Sequence, residues 1–236
     1  MQRIVLIIFR MFFSVIALII QMGWYANPKH RNYHKAYQIL SKYAVKAVKA
    51  ANVELEIKGI ENIPKEDGFI FYPNHQGLFD VLVFLVSSTR PFAFVIKKES
   101  SKIILLKQII GAIGSIPMDR KDLKQSLQVI NQVADRVKQG ENFIIFPEGT
   151  RSQNGNKLND FKAGSFKAAM KAKCPIVPCA LIDSYKPFDE KGIEKKTVKL
   201  IYLPPITYES YENMQTKDLA ELAKKQIEKA ISENEN

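Results

Sequence analysis

Two side chains that can move a proton, His75 and Asp80, lie five residues apart in segment 74–80. The segment follows an apolar run, 69–72, that predicts a buried strand, and it precedes another, 81–86, that predicts a helix or a second buried segment. A tight turn would bring the carboxylate to one ring nitrogen and leave the other nitrogen free as a general base. The alternative is a surface turn in which the carboxylate only favours the helix start through the helix dipole.

A second polar group follows the continuous apolar run 143–146, which predicts another buried strand. It consists of Glu148, Gly149, Thr150 and Arg151. The glycine allows a positive φ or the close approach of a ligand to the backbone. A carboxylate, a guanidinium and a hydroxyl together are typical of a pocket for a ligand that carries both hydroxyl and phosphate groups. The alternative is a turn closed by an internal Glu–Arg pair.

Arg120 lies at the end of a third run, 111–120, which contains two glycines and a short predicted strand, 116–118. A planar guanidinium at a strand end suits a phosphate or a carboxylate. Taken alone, the charged cluster 119–122 is better explained as a solvated surface. Lys162, near the start of a helix predicted over 161–172, is a further candidate anion contact, although a simple helix start is the better explanation of this segment.

These groups belong to a chain in which strand and helix patterns alternate from residue 53 onward. Alternation of this kind predicts an α/β fold with a mixed, largely parallel sheet flanked by helices. The carboxyl ends of parallel strands share one edge of a sheet, where such folds bind their ligands. We therefore expect the three polar groups to meet there.

The net charge of +11 at pH 7 is concentrated at the N-terminus. Residues 1–53 hold eight Lys or Arg and no acid, whereas the remaining 183 residues hold 27 basic and 24 acidic side chains. This distribution indicates an anionic surface as the partner of an N-terminal arm and argues against a nucleic-acid groove in the main domain. Cys174 and Cys179 are predicted to be core thiols in a reducing compartment. We see no metal-ligand cluster and no nucleotide-binding loop.

The arm, residues 1–51, is predicted to be a membrane-binding helix pair, and residues 52–236 the main domain. The first helix, 4–25, is apolar and, at about 33 Å, is long enough to cross a bilayer core. Its polar residues Arg10, Ser14 and Gln21 fall on one narrow stripe with the preceding Arg3. A helix that lies in one leaflet or packs against a partner helix can turn this stripe to water or protein. The second helix, 29–51, is basic and amphipathic, which is typical of a helix on an anionic membrane. Packing on the main domain with a solvated lysine face is the alternative.

Four blocks of this sequence resemble, in order and spacing, those of the glycerolipid acyltransferases, over about residues 60–205. The blocks are Asn74-His75 with Asp80, residues 114–120, residues 146–152, and the run Ile176-Val177-Pro178. One departure is Gly77, which stands where many members of the family have serine.

The resemblance implies that His75 is the general base and Asp80 its orienting partner. Arg120 would bind the acceptor phosphate, and the acceptor pocket would be lined by Glu148, Gly149, Thr150 and Arg151. A thioester donor is already activated, so the reaction needs a base but no enzyme nucleophile, and the sequence has no Gly-x-Ser-x-Gly elbow.

The expected activity is acyl transfer from acyl-ACP or acyl-CoA to lysophosphatidic acid, without a cofactor or a metal. The expected location is the cytoplasmic face of the cell membrane, with the lipid bilayer as partner. Two alternatives remain open: an enzyme of the same family acting on glycerol 3-phosphate or another lysophospholipid, and a non-catalytic membrane lipid-binding protein.

Overall fold

The computed structural model describes residues 2–235 of the chain, which fold into helices packed on both faces of one sheet. The strands are β1 Val53–Lys58, β2 Ile70–Pro73, β3 Ala93–Lys97, β4 Ile116–Met118, β5 Phe143–Ile144, β6 Ile176–Ile182 and β7 Lys196–Tyr202. The helices are α1 Gln2–Arg10, α2 Phe12–Ala26, α3 Tyr33–Ala50, α4 Phe79–Ser87, α5 Ile104–Ala112, α6 Leu123–Lys138, α7 Lys167–Ala172, α8 Lys186–Asp189, α9 Tyr208–Tyr211 and α10 Thr216–Ser232.

The strand order is β1-β7-β6-β2-β5-β3-β4. Every neighbouring pair is parallel except β6 and β7, which are antiparallel. The predicted mixed, largely parallel sheet is therefore confirmed. Because β2, β3, β4, β5 and β6 all run in the same direction, their carboxyl ends share one edge, which we name the carboxyl edge.

The residues around β2 show how the sequence builds a three-layer structure. Phe69 and Phe71 belong to the core on the side of α3 and α4, whereas Ile70 and Tyr72 belong to the core on the side of α6 and α7. All four side chains are fully buried. Because side chains alternate between the two faces of a strand, a run of apolar residues predicts burial on both faces.

Several predicted boundaries are wrong by a few residues. The predicted strand 143–146 has only two residues in β5, although the Ile145 N–H still donates to the Phe71 carbonyl at 3.0 Å. The predicted helix 161–172 begins as a 3₁₀ turn, Ala163–Phe166, before α7. The second arm helix begins at Tyr33 rather than at residue 29, because the Asn32 side chain caps it by accepting from the Lys35 N–H at 3.0 Å.

The first arm segment is not the single helix predicted over 4–25. It consists of α1 and α2, which meet at Met11 with a bend of 80°. Met11 is buried against Ala47 and Ala50 of α3, so the bend follows the contact of the arm with α3. Within residues 2–235 no single helix is long and apolar enough to cross a membrane, whereas α1 and α2 together meet those criteria as a bent pair.

The predicted polar stripe of the arm faces protein. Arg3 is fully buried and donates to the carbonyls of Ala51 at 2.7 Å and Glu194 at 2.5 Å. Arg10 donates to the Ala50 carbonyl at 2.9 Å. The two arginines therefore satisfy carbonyls at the end of α3, which have no partner within that helix.

The amphipathic helix α3 packs its apolar face on the domain. The residues of this face are buried in the core shared with β2 and α4: Ala36, Tyr37, Leu40, Ala44 and Val48. The lysine side chains on the other faces are exposed. For α3 the structure therefore shows the packing alternative, in which protein rather than lipid covers the apolar face.

Replacing Arg3 should loosen α1. Arg3→Ala leaves two backbone carbonyls without their donor, so we expect unfolding stability to fall by about 1–3 kcal/mol. Denaturant unfolding measures this loss, and hydrogen exchange should show faster exchange in α1. Arg31→Ala, at an exposed position, is the control and should leave both unchanged. Equal stability of the two variants would contradict the bridging role of Arg3.

Candidate active site at the carboxyl edge

The His75 and Asp80 side chains meet in the turn between β2 and α4. The His75 Nδ1 lies 2.8 Å from the Asp80 Oδ2. The same oxygen accepts the backbone N–H groups of Gln76 at 2.8 Å and Gly77 at 3.0 Å. One carboxylate oxygen therefore both closes the turn and holds the imidazole, which is the folded-back geometry expected from the sequence.

Burial separates the two members of this pair. Asp80 is fully buried in the first turn of α4, where the helix dipole favours a negative charge. The His75 side chain keeps 22% of its surface exposed, and its ring lies 4.2 Å from the Phe146 ring. The carboxylate is thus fixed inside the protein while the imidazole reaches the surface.

The imidazole offers one nitrogen to a ligand. Nδ1 must carry a proton to donate to the carboxylate, which makes Nε2 the acceptor in the neutral ring. No residue in 2–235 makes a hydrogen bond to Nε2. This arrangement can take a proton from a hydroxyl group placed within about 3 Å of Nε2.

The segment after β5 joins the same turn through Glu148. Its Oε1 accepts the His75 backbone N–H at 2.7 Å, and its Oε2 accepts the Asn159 N–H at 3.0 Å. The carboxyl group is buried, and this burial raises its pKa, while the two N–H groups act in the opposite direction. Glu148 therefore ties the His75 backbone to the loop before α7, and its acceptor contact remains a prediction.

The rest of this segment lies nearer the solvent. Gly149 has the positive φ expected for it, +74°, and an added Cβ would lie 2.9 Å from the Lys162 Nζ. Thr150 and Arg151 are exposed. The Arg151 Nη1 pairs with Asp189 of α8 at 3.2 Å, so this arginine has an acid partner outside its own segment. The alternative of an internal Glu–Arg pair is wrong.

Arg120 stands farther along the carboxyl edge. It follows β4, which is three strands from β2, so the two strand ends are separated by about 14 Å. Its side chain is exposed, and no residue in 2–235 makes a hydrogen bond or an ion pair with it. The guanidinium is therefore available for an anion.

A buried amide network behind the turn was not predicted from the sequence. The Gln76 Oε1 accepts the Ser184 N–H at 2.6 Å, and the Gln76 Nε2 donates to the Asn156 Oδ1 at 2.7 Å. The Asn74 side chain exchanges hydrogen bonds with the Leu181 backbone at 2.7 and 2.9 Å. These amides tie the turn to the end of β6. The only available sequence signal was their position on either side of His75.

Two cavities of the structure lie away from His75. A cavity of about 420 Å³ lies along the outer strand β4 and is lined by Tyr33, Gln125 and Arg136 among others. A second cavity of about 300 Å³ lies near Phe92 and Asn142. His75 does not line either cavity. The acceptor pocket at Arg120 and at residues 148–151 therefore stays a prediction.

The fold and this geometry define the chain as an α/β protein with a histidine–aspartate pair at the carboxyl edge of its sheet. A family model described as "Acyltransferase" matches residues 54–182, which is more than half of the chain and spans the whole site. The chain belongs to this acyltransferase family.

Curated relatives carry a more specific name. A chloroplast 1-acyl-sn-glycerol-3-phosphate acyltransferase of Brassica napus is 32% identical over 155 residues, covering 64% of this chain and 44% of the relative. A probable 1-acyl-sn-glycerol-3-phosphate acyltransferase of Mycoplasma genitalium is 28% identical over 211 residues, covering 83% and 76%. The chain thus spans less than half the length of the plant relative.

The fold also matches a solved structure. The crystal structure of the 1-acyl-sn-glycerophosphate (LPA) acyltransferase PlsC from Thermotoga maritima superposes with a TM-score of 0.80. The match covers 98% of this chain and 95% of that chain at 22% sequence identity. The shared fold includes the N-terminal helices.

The hydrogen bond to Asp80 should fix the tautomer of His75. In the neutral ring we expect the proton on Nδ1, because the carboxylate accepts it there. Nitrogen-15 chemical shifts measured at alkaline pH report the tautomer of each of the three histidines directly. In Asp80→Ala we expect the neutral His75 ring to populate both tautomers. The tautomer populations of the exposed His34 should stay unchanged. Predominant Nε2 protonation in the wild type would refute the assignment.

Proposed function

We propose that this chain transfers a fatty acyl group from acyl-ACP or acyl-CoA to the sn-2 hydroxyl of 1-acyl-sn-glycerol 3-phosphate, giving phosphatidic acid. Membership of the acyltransferase family supports acyl transfer. The names of the bacterial and plant relatives support lysophosphatidic acid as the acceptor. The observation that carries the proposal is the His75 ring, held by Asp80 through Nδ1 with Nε2 open.

The chemistry follows from this geometry. Nε2 of His75 accepts the proton of the acceptor hydroxyl as its oxygen attacks the thioester carbonyl. The tetrahedral intermediate then collapses, the carbon–sulfur bond breaks, and the thiolate takes the proton from the imidazolium. The ester and the free thiol are the products. Asp80 stabilises the imidazolium between these two transfers.

Direct attack by the acceptor also agrees with the state of the cysteines. Cys174 and Cys179 are buried free thiols. Burial raises the pKa of the Cys174 thiol to about 12, and it raises the pKa of Cys179 as well. Neither thiol is therefore suited to act as a nucleophile, since the thiolate is the reactive form.

The exposed cations along the carboxyl edge support a phosphate-bearing acceptor. Arg120 has no acid partner within hydrogen-bonding distance, and Arg151 can exchange its exposed partner Asp189 for a phosphate. An exposed ion pair of this kind contributes little stability, so its exchange costs little. Lys162, which lies over Gly149, adds a third positive charge beside this segment.

The apolar surface of α1 and α2 supports a position on the cytoplasmic face of the cell membrane. Both helices expose large apolar side chains: Val5, Ile8, Phe9, Phe12, Phe13, Ile16, Ile20 and Trp24. A surface of this size and character is typical of a helix pair that inserts into one leaflet. Both the lipid acceptor and the product would then lie beside the carboxyl edge.

Removal of the base should abolish turnover without unfolding the protein. For His75→Ala in mixed micelles with labelled acyl donor, we expect a loss of at least about 10²-fold in kcat, the usual contribution of a general base. His34→Ala is the matched control and should keep full activity. The melting temperature of His34→Ala should equal that of the wild type, and that of His75→Ala should fall slightly, because the buried Asp80 loses one of its three donors.

The same assay tests the acceptor on the wild-type protein. Faster acylation of glycerol 3-phosphate than of lysophosphatidic acid would replace the proposed acceptor. Undiminished activity of His75→Ala would refute the general base. Absence of turnover with every acceptor, together with vesicle binding, would favour the non-catalytic lipid-binding alternative.

Polar substitutions on α1 and α2 should release the protein from membranes. Phe9 and Phe13 are each 82% exposed, so changing both to Asn removes apolar surface without disturbing the core. We expect sedimentation with phospholipid vesicles to fall by at least tenfold, because each phenylalanine contributes about 1.5–3 kcal/mol when buried. Deleting the whole arm is a poorer test, since α3 shares the main core. Unchanged sedimentation would contradict the membrane role of α1 and α2.

A further inference from the structure

The apolar helix α5 packs beside α2 in parallel register. A Cβ added to Gly23 would lie 3.6 Å from the Gln108 side chain, and one added to Gly111 would lie 2.9 Å from the Ala26 Cβ. Both pairs are separated by the same number of residues, so the two helices run in the same direction. Small residues at the contact allow the two backbones to approach closely.

The exposed apolar residues of the two helices lie on one side of this pair. At about 100° per residue, Ile20 and Trp24 of α2 point away from α5 toward that side. The same angle per residue, applied to α5, places Ile103 and Lys107 on that side as well. Ile104, at the first turn of α5, lies at the seam between the helices and is 69% exposed, and Ile103 is 57% exposed. The exposed apolar residues at the start of α5 therefore lie on the same side of the pair as those of α2.

This end of α5 lies near the candidate active site in the fold. A 3₁₀ helix, Lys98–Lys102, starts directly after β3 and leads into α5. The end of β3 is two strands from the end of β2, a separation of about 10 Å along the carboxyl edge. The exposed isoleucines are thus attached to the edge that carries His75.

Unpaired lysines flank the two isoleucines. Lys102 precedes them and Lys107 follows one turn later, and both are exposed. No acidic side chain in 2–235 forms an ion pair with either lysine, whereas Lys98 nearby pairs with Asp119 at 3.5 Å. An apolar tip between unpaired lysines is complementary to the headgroup region of an anionic bilayer.

We propose that Ile103, Ile104, Lys102 and Lys107 form a second membrane contact, separate from α1 and α2, that seats in the headgroup region of a bilayer containing anionic lipid. We name this group the α5 tip. The proposal deepens the proposed function, because it specifies how the active site meets its lipid. Two contacts fix the orientation of the protein on the membrane, whereas a single contact leaves the protein free to rotate about that contact. With both seated, the carboxyl edge faces the leaflet.

The α5 tip can be altered without disturbing the fold. Ile103 is the N-cap residue of α5 and has no side-chain cap, so Ile103→Asn supplies a favoured one. Combined with Ile104→Gln, it removes the apolar tip and leaves the charge unchanged. Ile60→Gln is the matched control, since Ile60 is exposed and follows β1, whose carboxyl end lies at the opposite edge of the sheet.

The test uses full-length protein and vesicles of phosphatidylcholine with phosphatidylglycerol. We expect Ile103→Asn/Ile104→Gln to weaken vesicle partitioning roughly tenfold, since two isoleucines leave an apolar environment. Acylation of lysophosphatidic acid embedded in those vesicles should fall by at least as much. Acylation of a short-chain, water-soluble analogue should be unchanged. Lys102→Gln/Lys107→Gln should reduce only the salt-sensitive part of the partitioning.

The possible outcomes separate this proposal from the proposed function. If Ile103→Asn/Ile104→Gln binds vesicles as well as the wild type does, the α5 tip is not a membrane contact. A protein partner would then be the remaining candidate for this surface. Loss of activity on the water-soluble analogue would also overturn it, because the tip would then act on the chemistry itself. If the wild type acylates no lysolipid, the proposed function is wrong. The vesicle partitioning of the variants, compared with that of the wild type, still tests whether the α5 tip contacts the membrane.

Discussion

The geometry of the site depends on one buried oxygen, the Oδ2 of Asp80. It accepts the imidazole and two consecutive backbone N–H groups, so a single acceptor closes the turn and orients the ring. A carboxylate removed from water must be compensated by hydrogen bonds, and these three donors compensate Oδ2. The Oδ1 of Asp80 is buried without a hydrogen-bond partner in residues 2–235. The position of His75 at the surface therefore follows from the burial of Asp80. Any change that exposes Asp80 also frees the imidazole.

That turn exists only because β2 lies in the middle of the sheet. Its neighbours β5 and β6 run parallel to it, and each sends a segment past the same edge. Glu148 arrives after β5 and accepts the His75 N–H, while Ser184 arrives after β6 and donates to Gln76. The backbone around His75 is thus held from both sides. Parallel pairing is what brings residues more than a hundred positions apart into one site.

In the arm, arginine side chains contact protein while large apolar side chains are exposed. The buried Arg3 and the exposed Arg10 donate to carbonyls at the end of α3, and the apolar side chains of α1 and α2 face outward. This is the reverse of a soluble helix, in which apolar residues face inward. A protein that buries Arg3 and exposes Phe9 is suited to an environment in which exposed apolar surface costs no free energy. The membrane proposals for α1, α2 and the α5 tip share this physical basis.

The sequence alone determined the α/β class and the positions of most strands, and it offered the pairing of His75 with Asp80 as one of two alternatives, which the family resemblance favoured. These features rest on local periodicity and on groups five residues apart, which a single turn can join. The tertiary structure alone decided the partners of Glu148 and Arg151, the bend at Met11 and the amide network of Gln76. Each of these depends on contacts between distant segments, for which strand order and packing leave no local signal. The sequence predicted that the polar stripe of the arm faces water or protein, and only the packing on α3 showed that Arg3 and Arg10 donate to protein carbonyls.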